Sequence, residues 1–318
     1  MNEKIELSVC VVCYNQEKYI AECLESLVSQ ETNFKFEIIV GEDCSTDNTR
    51  IIVQQYVDRY PHLIRPIFYR KNVGAVENIK QVYIAAKGKY IAHIDGDDLA
   101  FPAKLQKQFD ILESNIDCNI CTHDVKQIDS NGEFKNRGLT HPQGKYDIFH
   151  LYQNLPFFAH SSKMFRNKYD SNFWEELLNN PKILDIDIHV ASLESDYIYH
   201  TNEMLGAYRV GVGISFDNKK INRDLSLGAE RVFAKAFNTF KDDSYKLELI
   251  QKSYSLAMLR CAYSYAVYDK DIELFRRYVD KSLKYKNVSF EQSVFKIAAL
   301  LPMIFFPLFS IRSKIKNR

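Results

Sequence analysis

The chain has 318 residues, 46% of them hydrophobic, and its 42 basic residues almost cancel its 41 acidic ones, leaving a formal net charge of +1. That length and composition suit one large folded domain with an appendage, or two domains, and exclude a disordered or collagen-like chain. A charge so near zero offers nucleic acid no bulk electrostatic hold, so no nucleic-acid partner is expected.

Met1-Asn2-Glu3-Lys4 has no secretory pattern and runs straight into a first strand, so a cytoplasmic location is expected. Residues 7–13 are apolar almost throughout and predict a strand buried on both faces. Tyr14-Asn15-Gln16 breaks that run, and Ile20, Cys23, Leu24, Leu27 and Val28 then recur at helical spacing. A second strand over 36–40 leads into Gly41-Glu42-Asp43-Cys44-Ser45-Thr46-Asp47. There Thr46 or Asp47 is the candidate cap of a helix through Ile51, Ile52, Tyr56 and Val57. A third strand over 64–69 precedes Asn72-Val73-Gly74 and a helix through Val76, Ile79, Val82 and Tyr83. The fourth strand ends in Asp95-Gly96-Asp97-Asp98, three carboxylates within four residues.

Like charges so close raise one another's pKa, and a cation relieves the cost. Oxygen-only ligands suit a hard ion, Mg²⁺ or Mn²⁺, whose shell substrate phosphates often complete. A solvated acidic turn is the plainer alternative. An EF-hand is excluded, because Ala100 stands where its glycine belongs and Gln106 where its bidentate Glu belongs. Strands alternating with helices predict βαβ units and a parallel sheet, with ligands beyond the carboxyl ends of the strands. Three such ends carry polar clusters: Asn15 with Glu17, Glu42-Asp43, and Asp95-Asp97-Asp98. They are expected to converge on one crevice. Neither a dinucleotide-binding glycine fingerprint nor a Walker A sequence is present, which argues against a dehydrogenase and a P-loop NTPase.

Two C-x-x-C pairs, Cys10/Cys13 and Cys118/Cys121, raise the question of a zinc ribbon. Cys10 and Cys13 lie in an extended run, where residues three apart point to opposite faces, so buried thiols in a reducing compartment are expected.

Ser8-Val9-Cys10-Val11-Val12-Cys13-Tyr14-Asn15, with a helix ending Leu27-Val28-Ser29-Gln30, resembles the opening of family 2 glycosyltransferases, which have the GT-A fold. Residues 37–49 resemble that family's second signature, Asn72-Val73-Gly74 its third, and Asp95-Gly96-Asp97-Asp98 its metal-binding D-x-D; order and spacing agree over residues 5–110. The resemblance implies an α/β chain, with a Rossmann-like, mostly parallel sheet flanked by helices. It implies inverting transfer of a sugar from a nucleotide-sugar, usually UDP-linked, to an acceptor hydroxyl. Asp43 then bonds the uracil and the Cys13–Tyr14 backbone packs on the base, with Asn15, Glu17, Asn72, Gly74 and Gly96 in the same donor site. Asp95 approaches the ribose and the metal, Asp97 is the principal contact to Mn²⁺ or Mg²⁺, and Asp98 orients the sugar or supports the metal site. Glu42 departs from the Asp common at its position.

Residues 122–134 read as strand, Asn-Gly turn, strand. Phe157 and Phe158 could stack on a sugar but are more readily core, and His160 is either an acceptor contact or a structural histidine. Leu184-Asp185-Ile186-Asp187-Ile188-His189 resembles the family's E-D-x-x-L segment, with Leu184 in place of the usual acid. Asp185 aligns with the catalytic base, Asp187 is the competitor, and a pair of helix-capping residues is the alternative. In Leu205-Gly206-Ala207-Tyr208-Arg209-Val210-Gly211-Val212-Gly213-Ile214-Ser215, Tyr208 and Arg209 match the segment that often ends the catalytic domain, while Gly211 replaces a frequent His. A second-site phosphate contact then falls to Arg209, His200 or Ser215.

The catalytic domain is thus expected over 1–216 and a helical extension over 217–290, with stripes Leu247, Ile250, Tyr254, Ala257, Met258, Cys261 and Leu274, Tyr278, Leu283. The segment 291–318 is a tail, apolar over 297–311, interrupted by two prolines and closed by Arg312, Lys314, Lys316 and Arg318. It falls short of the ~20 residues a spanning helix needs, so an interfacial or re-entrant contact with an anionic membrane through 297–318 is expected. Docking on its own domain or in a homodimer is the alternative. The resemblance adds a glycan or lipid-linked glycan acceptor of bacterial surface-polysaccharide synthesis, on the inner face of the cytoplasmic membrane. A sugar nucleotidyltransferase is disfavoured because its Gly-rich basic loop is missing. A silent assembly scaffold is disfavoured by the intact acidic residues.

Overall fold

The first apolar run becomes the middle of a sheet because both of its faces are covered. In the computed structural model, which describes residues 4–193, 196–212, 216–217, 220–285 and 289–316, strand β1 (Leu7–Cys13) is buried over nearly its whole length. It pairs in parallel with β2 (Phe36–Glu42) on one side and β4 (Tyr90–Asp95) on the other, and β2 pairs in parallel with β3 (Ile64–Phe68). The chain therefore winds outward from β1 through β2 to β3 and returns across β1 to β4. The strand order reverses at β1/β4, which is where a doubly wound sheet opens a crevice beyond its carboxyl ends.

Beyond β4 the sheet becomes mixed. The remaining strands are β5 (Leu99–Ala100), β6 (Cys118–Ile128), β7 (Phe134–Leu139), β8 (Gly144–Tyr146), β9 (Met164–Arg166) and β10 (Tyr197–Arg209). Their order continues β4-β9-β6-β10-β5, with β9 antiparallel to both neighbours and β10 parallel to β6. The predicted hairpin is β6 and β7, joined through Gly132 at a φ of 83°.

Helices α1 (Ile20–Val28), α2 (Thr49–Arg59), α3 (Ala75–Ala85), α4 (Lys104–Ser114), α5 (Ile148–Gln153), α6 (Ser171–Leu177) and α7 (Asp185–Leu193) accompany these strands. Leu24 and Leu27 of α1 and Leu105 and Leu112 of α4 share a fully buried cluster with Val9, Val11, Ile38, Val40 and Ile94. Each such side chain contributes roughly 1.5–3 kcal/mol by burial. Around α3, Tyr83 packs against Phe165 and Trp174. Cys10 donates to Val82 O (3.3 Å) and Cys13 to Gly41 O (3.7 Å), each from a buried position. Burial pushes the Cys118 thiol up to about 11 and Cys121 to about 12, and among the described residues neither joins other cysteines or ligating side chains in a group of three that could surround an ion.

The chain divides into two compact units, residues 1–151 with 156–210, and residues 152–155 with 211–318. The second unit opens on a short antiparallel pair, β11 (Phe216–Asp217) with β12 (Lys220–Ile221), where a purely helical pattern was expected. Two-residue strands are too short to show a period. Then follow α8 (Arg223–Thr239), α9 (Ser244–Ser264), a π-turn at Tyr265–Asp269, α10 (Ile272–Leu283), α11 (Phe290–Leu300) and α12 (Pro302–Lys316). Asn222, Asp243, Asp271 and Ser289 cap α8, α9, α10 and α11 with side-chain bonds. In α9 the buried face holds Ile250, Tyr254 and Met258 as expected. In α10 it is Phe275, Tyr278 and Val279, with Leu274 and Leu283 at its margin.

Pro302 begins α12, where its missing N–H costs nothing, and Pro307 lies within it. Phe306 and Phe309 pack inward on Phe275 and Phe295, while Ile297, Leu300, Met303, Ile304 and Leu308 face outward. Among the described residues no helix is long and apolar enough to cross a membrane.

Candidate active site

The loops after β1 and β2 are sewn together by the polar residues that end the strands. Asn15 adopts a φ of 52°, a left-handed geometry that Asn tolerates, and its N–H donates to Ser45 Oγ (3.0 Å). Its Oδ1 accepts from the Thr46 N–H (2.8 Å), and Glu17 Oε2 accepts from Asn48 N–H and Nδ2 (3.0 and 2.8 Å). Asp47 accepts from Glu17 N–H (3.0 Å) and from Thr49 N–H (2.9 Å), so it serves the start of α2 from one residue before the cap. Tyr14 beside them is exposed.

Asp43 is buried, and its two oxygens accept the Val73 and Gly74 N–H groups (2.6 and 2.9 Å), while Asn72 Nδ2 donates to Asp43 O (3.1 Å). Gly74 reaches that bond with a φ of 87°, which a side chain would strain. The Asp43 N–H donates to Cys13 O (3.1 Å), tying this loop to β1. Glu42, wholly buried, is turned away onto Arg50 and the Ser45 N–H.

The acidic turn lies against the same strand. The Gly96 N–H donates to Val12 O (3.0 Å), and a Cβ on Gly96 would meet Gln16 Oε1 at 2.4 Å and Cys13 Cβ at 2.9 Å, so only glycine lets the turn approach β1. Asp95 is partly open; its N–H donates to Ser161 Oγ (3.0 Å) and its Oδ1 lies 3.2 Å from His93 Nε2. Asp97 and Asp98 are buried, and Asp98 Oδ2 has no hydrogen-bond partner. Burial, then the neighbouring Asp95, pushes Asp97 up to about 7; burial and both neighbouring carboxylates raise Asp98 well above the usual carboxylate range. The orphaned Asp98 oxygen beside two further carboxylates, in a cradle that excludes a Cβ, fits a hard divalent ion.

Arg209 clasps this turn from β10. Its N–H donates to Asp98 Oδ1 (2.8 Å), Nε to Asp97 O (2.8 Å), Nη1 to Asp129 O (2.8 Å) and Nη2 to Glu22 (2.9 Å), and the guanidinium lies 4.4 Å from the centre of the Tyr19 ring. All three side-chain nitrogens are thus engaged within the protein. His200 is likewise held between Thr122 Oγ1 and Asp124 Oδ1, both at 2.8 Å. Ser215 lies outside the described residues.

Each of the two candidate bases already accepts one backbone N–H, and they differ in what surrounds them. Asp187 is buried and its Oδ2 accepts the Leu184 N–H (3.1 Å), one half of a capping box. Asp185, first residue of α7, accepts the Ile186 N–H on Oδ1 (2.8 Å) and lies in the field of Asp95 and Lys163; burial, reinforced by Asp95, raises its pKa. Tyr208 lies in the field of all four carboxylates Asp95, Asp97, Asp98 and Asp185. His160 is buried beside Asp185, whereas Phe157 and Phe158 are buried in an aromatic cluster with His141 and His189, as core rather than platform. Sequence reasoning missed His93, Ser161, Lys163 and His189, which surround Asp95 and Asp185. His189, four residues after Asp185 on a helix, and His93, two before Asp95 on a strand, share a face with those carboxylates, whereas no local spacing points to Ser161 or Lys163.

The raised carboxyls make stability depend on pH. The unfolded chain leaves Asp97 at its ordinary value, so between about pH 4 and about pH 7 the folded protein holds a proton that the unfolded chain has released, and stability falls as pH rises through that window. The expected loss in the metal-free protein is about 2–4 kcal/mol. A divalent ion bound at this turn would take the proton's place, so added Mn²⁺ should raise the melting temperature more at about pH 7.5 than at about pH 5. Thermal scans with and without Mn²⁺ check this; a shift independent of pH would contradict it.

Comparison with known proteins agrees with this geometry. The family model for glycosyl transferase family 2 matches residues 8–174. "Uncharacterized protein Rv1520" of Mycobacterium tuberculosis is 41% identical over 127 residues, 40% of this chain and 37% of that one. "Uncharacterized glycosyltransferase MJ1057" of Methanocaldococcus jannaschii is 30% identical over 216 residues, 65% of this chain and 72% of that one. "Putative teichuronic acid biosynthesis glycosyltransferase TuaG" of Bacillus subtilis is 34% identical over 111 residues, 35% and 43% of the two chains. The match to Rv1520 and to TuaG thus spans less than half of each relative's length. Among solved structures, S. aureus TarS 1-349 in complex with UDP superposes with a TM-score of 0.61 at 17% identity, over 97% of this chain and 88% of that one. The mannosyltransferase PcManGT from Pyrobaculum calidifontis, in complex with GDP-Man and Mn²⁺, does so with a TM-score of 0.52 at 14% identity, over 99% and 88%. A doubly wound sheet with an acidic turn at its switch point, and a family model covering more than half of the chain, identify it as a member of glycosyl transferase family 2, with the GT-A fold.

Proposed function

We propose that the chain is a metal-dependent, inverting glycosyltransferase that moves a sugar from a nucleotide-sugar, UDP-linked in our reading, to a hydroxyl of a glycan or lipid-linked glycan in surface-polysaccharide synthesis. The observation that carries this reading is the Asp95–Asp98 turn at the β1/β4 switch point, with an orphaned Asp98 oxygen and Asp185 in the field of Asp95. UDP and GDP-Man in the two neighbours support a nucleotide-sugar donor, and the name of TuaG supports a polysaccharide product.

In this reading the loops of Cys13–Tyr14–Asn15, Asp43 and Asn72–Gly74 cradle the nucleotide. Asp43 keeps unused lone pairs for the base beyond the two amides it caps. Asp97 and Asp95 would hold Mn²⁺ or Mg²⁺, which when bound would neutralise charge gathering on the departing diphosphate. Asp185 takes the proton of the acceptor hydroxyl as its oxygen attacks from the face opposite the diphosphate, and that geometry inverts the anomeric carbon. Arg209 keeps Asp97 and Asp98 in place. The outward apolar residues of α11 and α12, followed by the basic end of the tail, support a peripheral contact with the anionic inner face of the cytoplasmic membrane.

Calorimetric titration with UDP, with and without Mn²⁺, tests the donor site in wild type and Asp97→Ala. We expect Mn²⁺-dependent binding in wild type and a loss of at least about tenfold in the variant, since one metal-ligand carboxylate is removed. UDP binding that ignores both Mn²⁺ and Asp97 would reject the metal assignment. Absence of UDP binding in either condition would reject the UDP assignment.

A further inference from the structure

Next to the acidic turn is a second group of ligating side chains with a different chemistry. His160, on the turn His160–Ser162 before β9, and Asp185 and His189, one helical turn apart on α7, each offer one ligand atom, and the three atoms lie within 4.8 Å of one another. His160 Nδ1 and His189 Nε2 face each other at 3.4 Å. That is long for an N–H···N hydrogen bond. It matches the separation of about 3.3–3.4 Å that two nitrogens take on a tetrahedral ion with bonds of about 2.0–2.1 Å. We propose that His160, Asp185 and His189 bind one divalent ion of the zinc class, at a site separate from the hard-ion position of the acidic turn.

The donor set carries the distinction. Two imidazoles and one carboxylate suit zinc and its neighbours, whereas the all-oxygen turn suits Mg²⁺ or Mn²⁺. Burial holds both imidazoles in the neutral, ligating form. The rings are positioned by packing: His160 lies against His93 at a centroid distance of 3.9 Å and His189 against Phe158 at 4.7 Å. Their far nitrogens, His160 Nε2 and His189 Nδ1, are buried with no partner. The outer-shell acceptor that usually orients a metal-bound histidine is therefore missing, which lowers affinity about 10–100-fold. Lys163, buried beside Asp185, adds a positive charge for a dication to work against, although burial lowers its pKa to about 7. The site is accordingly an exchangeable one and not a structural staple. Its consequence for transfer rests on the Asp185 assignment above: a bound ion occupies the carboxylate that must accept the acceptor's proton, so zinc inhibits.

Co²⁺, whose visible absorption reports tetrahedral nitrogen and oxygen coordination, tests binding on the full chain without turnover. Wild type and Asp97→Ala should both bind it with that spectrum, and His160→Gln and His189→Gln should lose it while keeping a cooperative melt. A signal lost in Asp97→Ala but kept in both histidine variants would overturn the site, as would no Co²⁺ binding at all. Because the variants could fail to fold, Cu²⁺-loaded Asp97→Ala supplies a second reading by electron spin echo. Coupling to two imidazole nitrogens is expected, and coupling to none overturns the proposal. Where transfer is measurable, the Zn²⁺ inhibition midpoint should rise about tenfold or more in His189→Gln. Co²⁺ binding without zinc inhibition would leave the ion site standing and reject only the role of Asp185.

Discussion

Replacing Asp185 by Asn should slow sugar transfer about 10²–10⁴-fold and leave Mn²⁺-dependent UDP binding at its wild-type level. The amide keeps the shape of the side chain and its place at the start of α7, but it cannot take a proton. Asp187→Asn separates the two candidates. Asp187 is buried and bonded to the Leu184 N–H, so its loss should act on the stability of α7, by about 0.5–2 kcal/mol, through half of a capping box. Raised above the ordinary carboxylate range by burial and Asp95, Asp185 should also give transfer an acidic limb that the Asn variant lacks. Steady-state rates over pH, with UDP affinity measured in parallel, check both statements. If Asp187→Asn lost transfer and Asp185→Asn kept it, the assignment would be reversed.

The second large effect belongs to Arg209. Arg209→Ala should cost about 2–4 kcal/mol of stability and weaken Mn²⁺ binding as well. Its partner Glu22 keeps a side chain 57% exposed, so that ion pair contributes little. The weight lies in the carbonyls of Asp97 and Asp129, which lose their donors at a cost of about 1–3 kcal/mol each when buried, and in the stacking on Tyr19. Arg209 also holds down the pKa of Asp97, so its removal leaves that carboxyl more protonated near pH 7 and a poorer ligand. Lys is not a substitute, because one ammonium cannot span acceptors set around a planar fork. Urea titration and Mn²⁺ titration of Arg209→Ala read the two effects separately. Unchanged stability would show that the clasp is dispensable.

These two residues also mark where local reading stops. Asp185 could be singled out from a short segment, but its choice over Asp187 needed the tertiary structure, which buries Asp187 and sets Asp185 in the field of Asp95 and Lys163. Arg209 stood out from its segment as a phosphate contact. Its guanidinium instead reaches Asp97 from 112 residues away and Glu22 from 187 residues away, contacts no spacing rule could anticipate.

The wound half of the sheet and the chemistry at its open end are legible in the chain without any tertiary contact. β1, β2 and β4 are buried runs, β3 is a short apolar one, and α1 to α3 are periodic, so each element is written in a short window, and glycines and carboxylates at strand ends mark the loops. The tertiary structure alone decided which side chains meet. β9 is three residues long and inserts antiparallel between β4 and β6, which brings His160, Ser161 and Lys163 beside Asp95 and sets α7 with Asp185 and His189 next to them. A strand that short carries no period, and its place depends on the pairing of segments some 70 residues apart. The convergence of those side chains is therefore a property of strand order, which a local pattern does not encode.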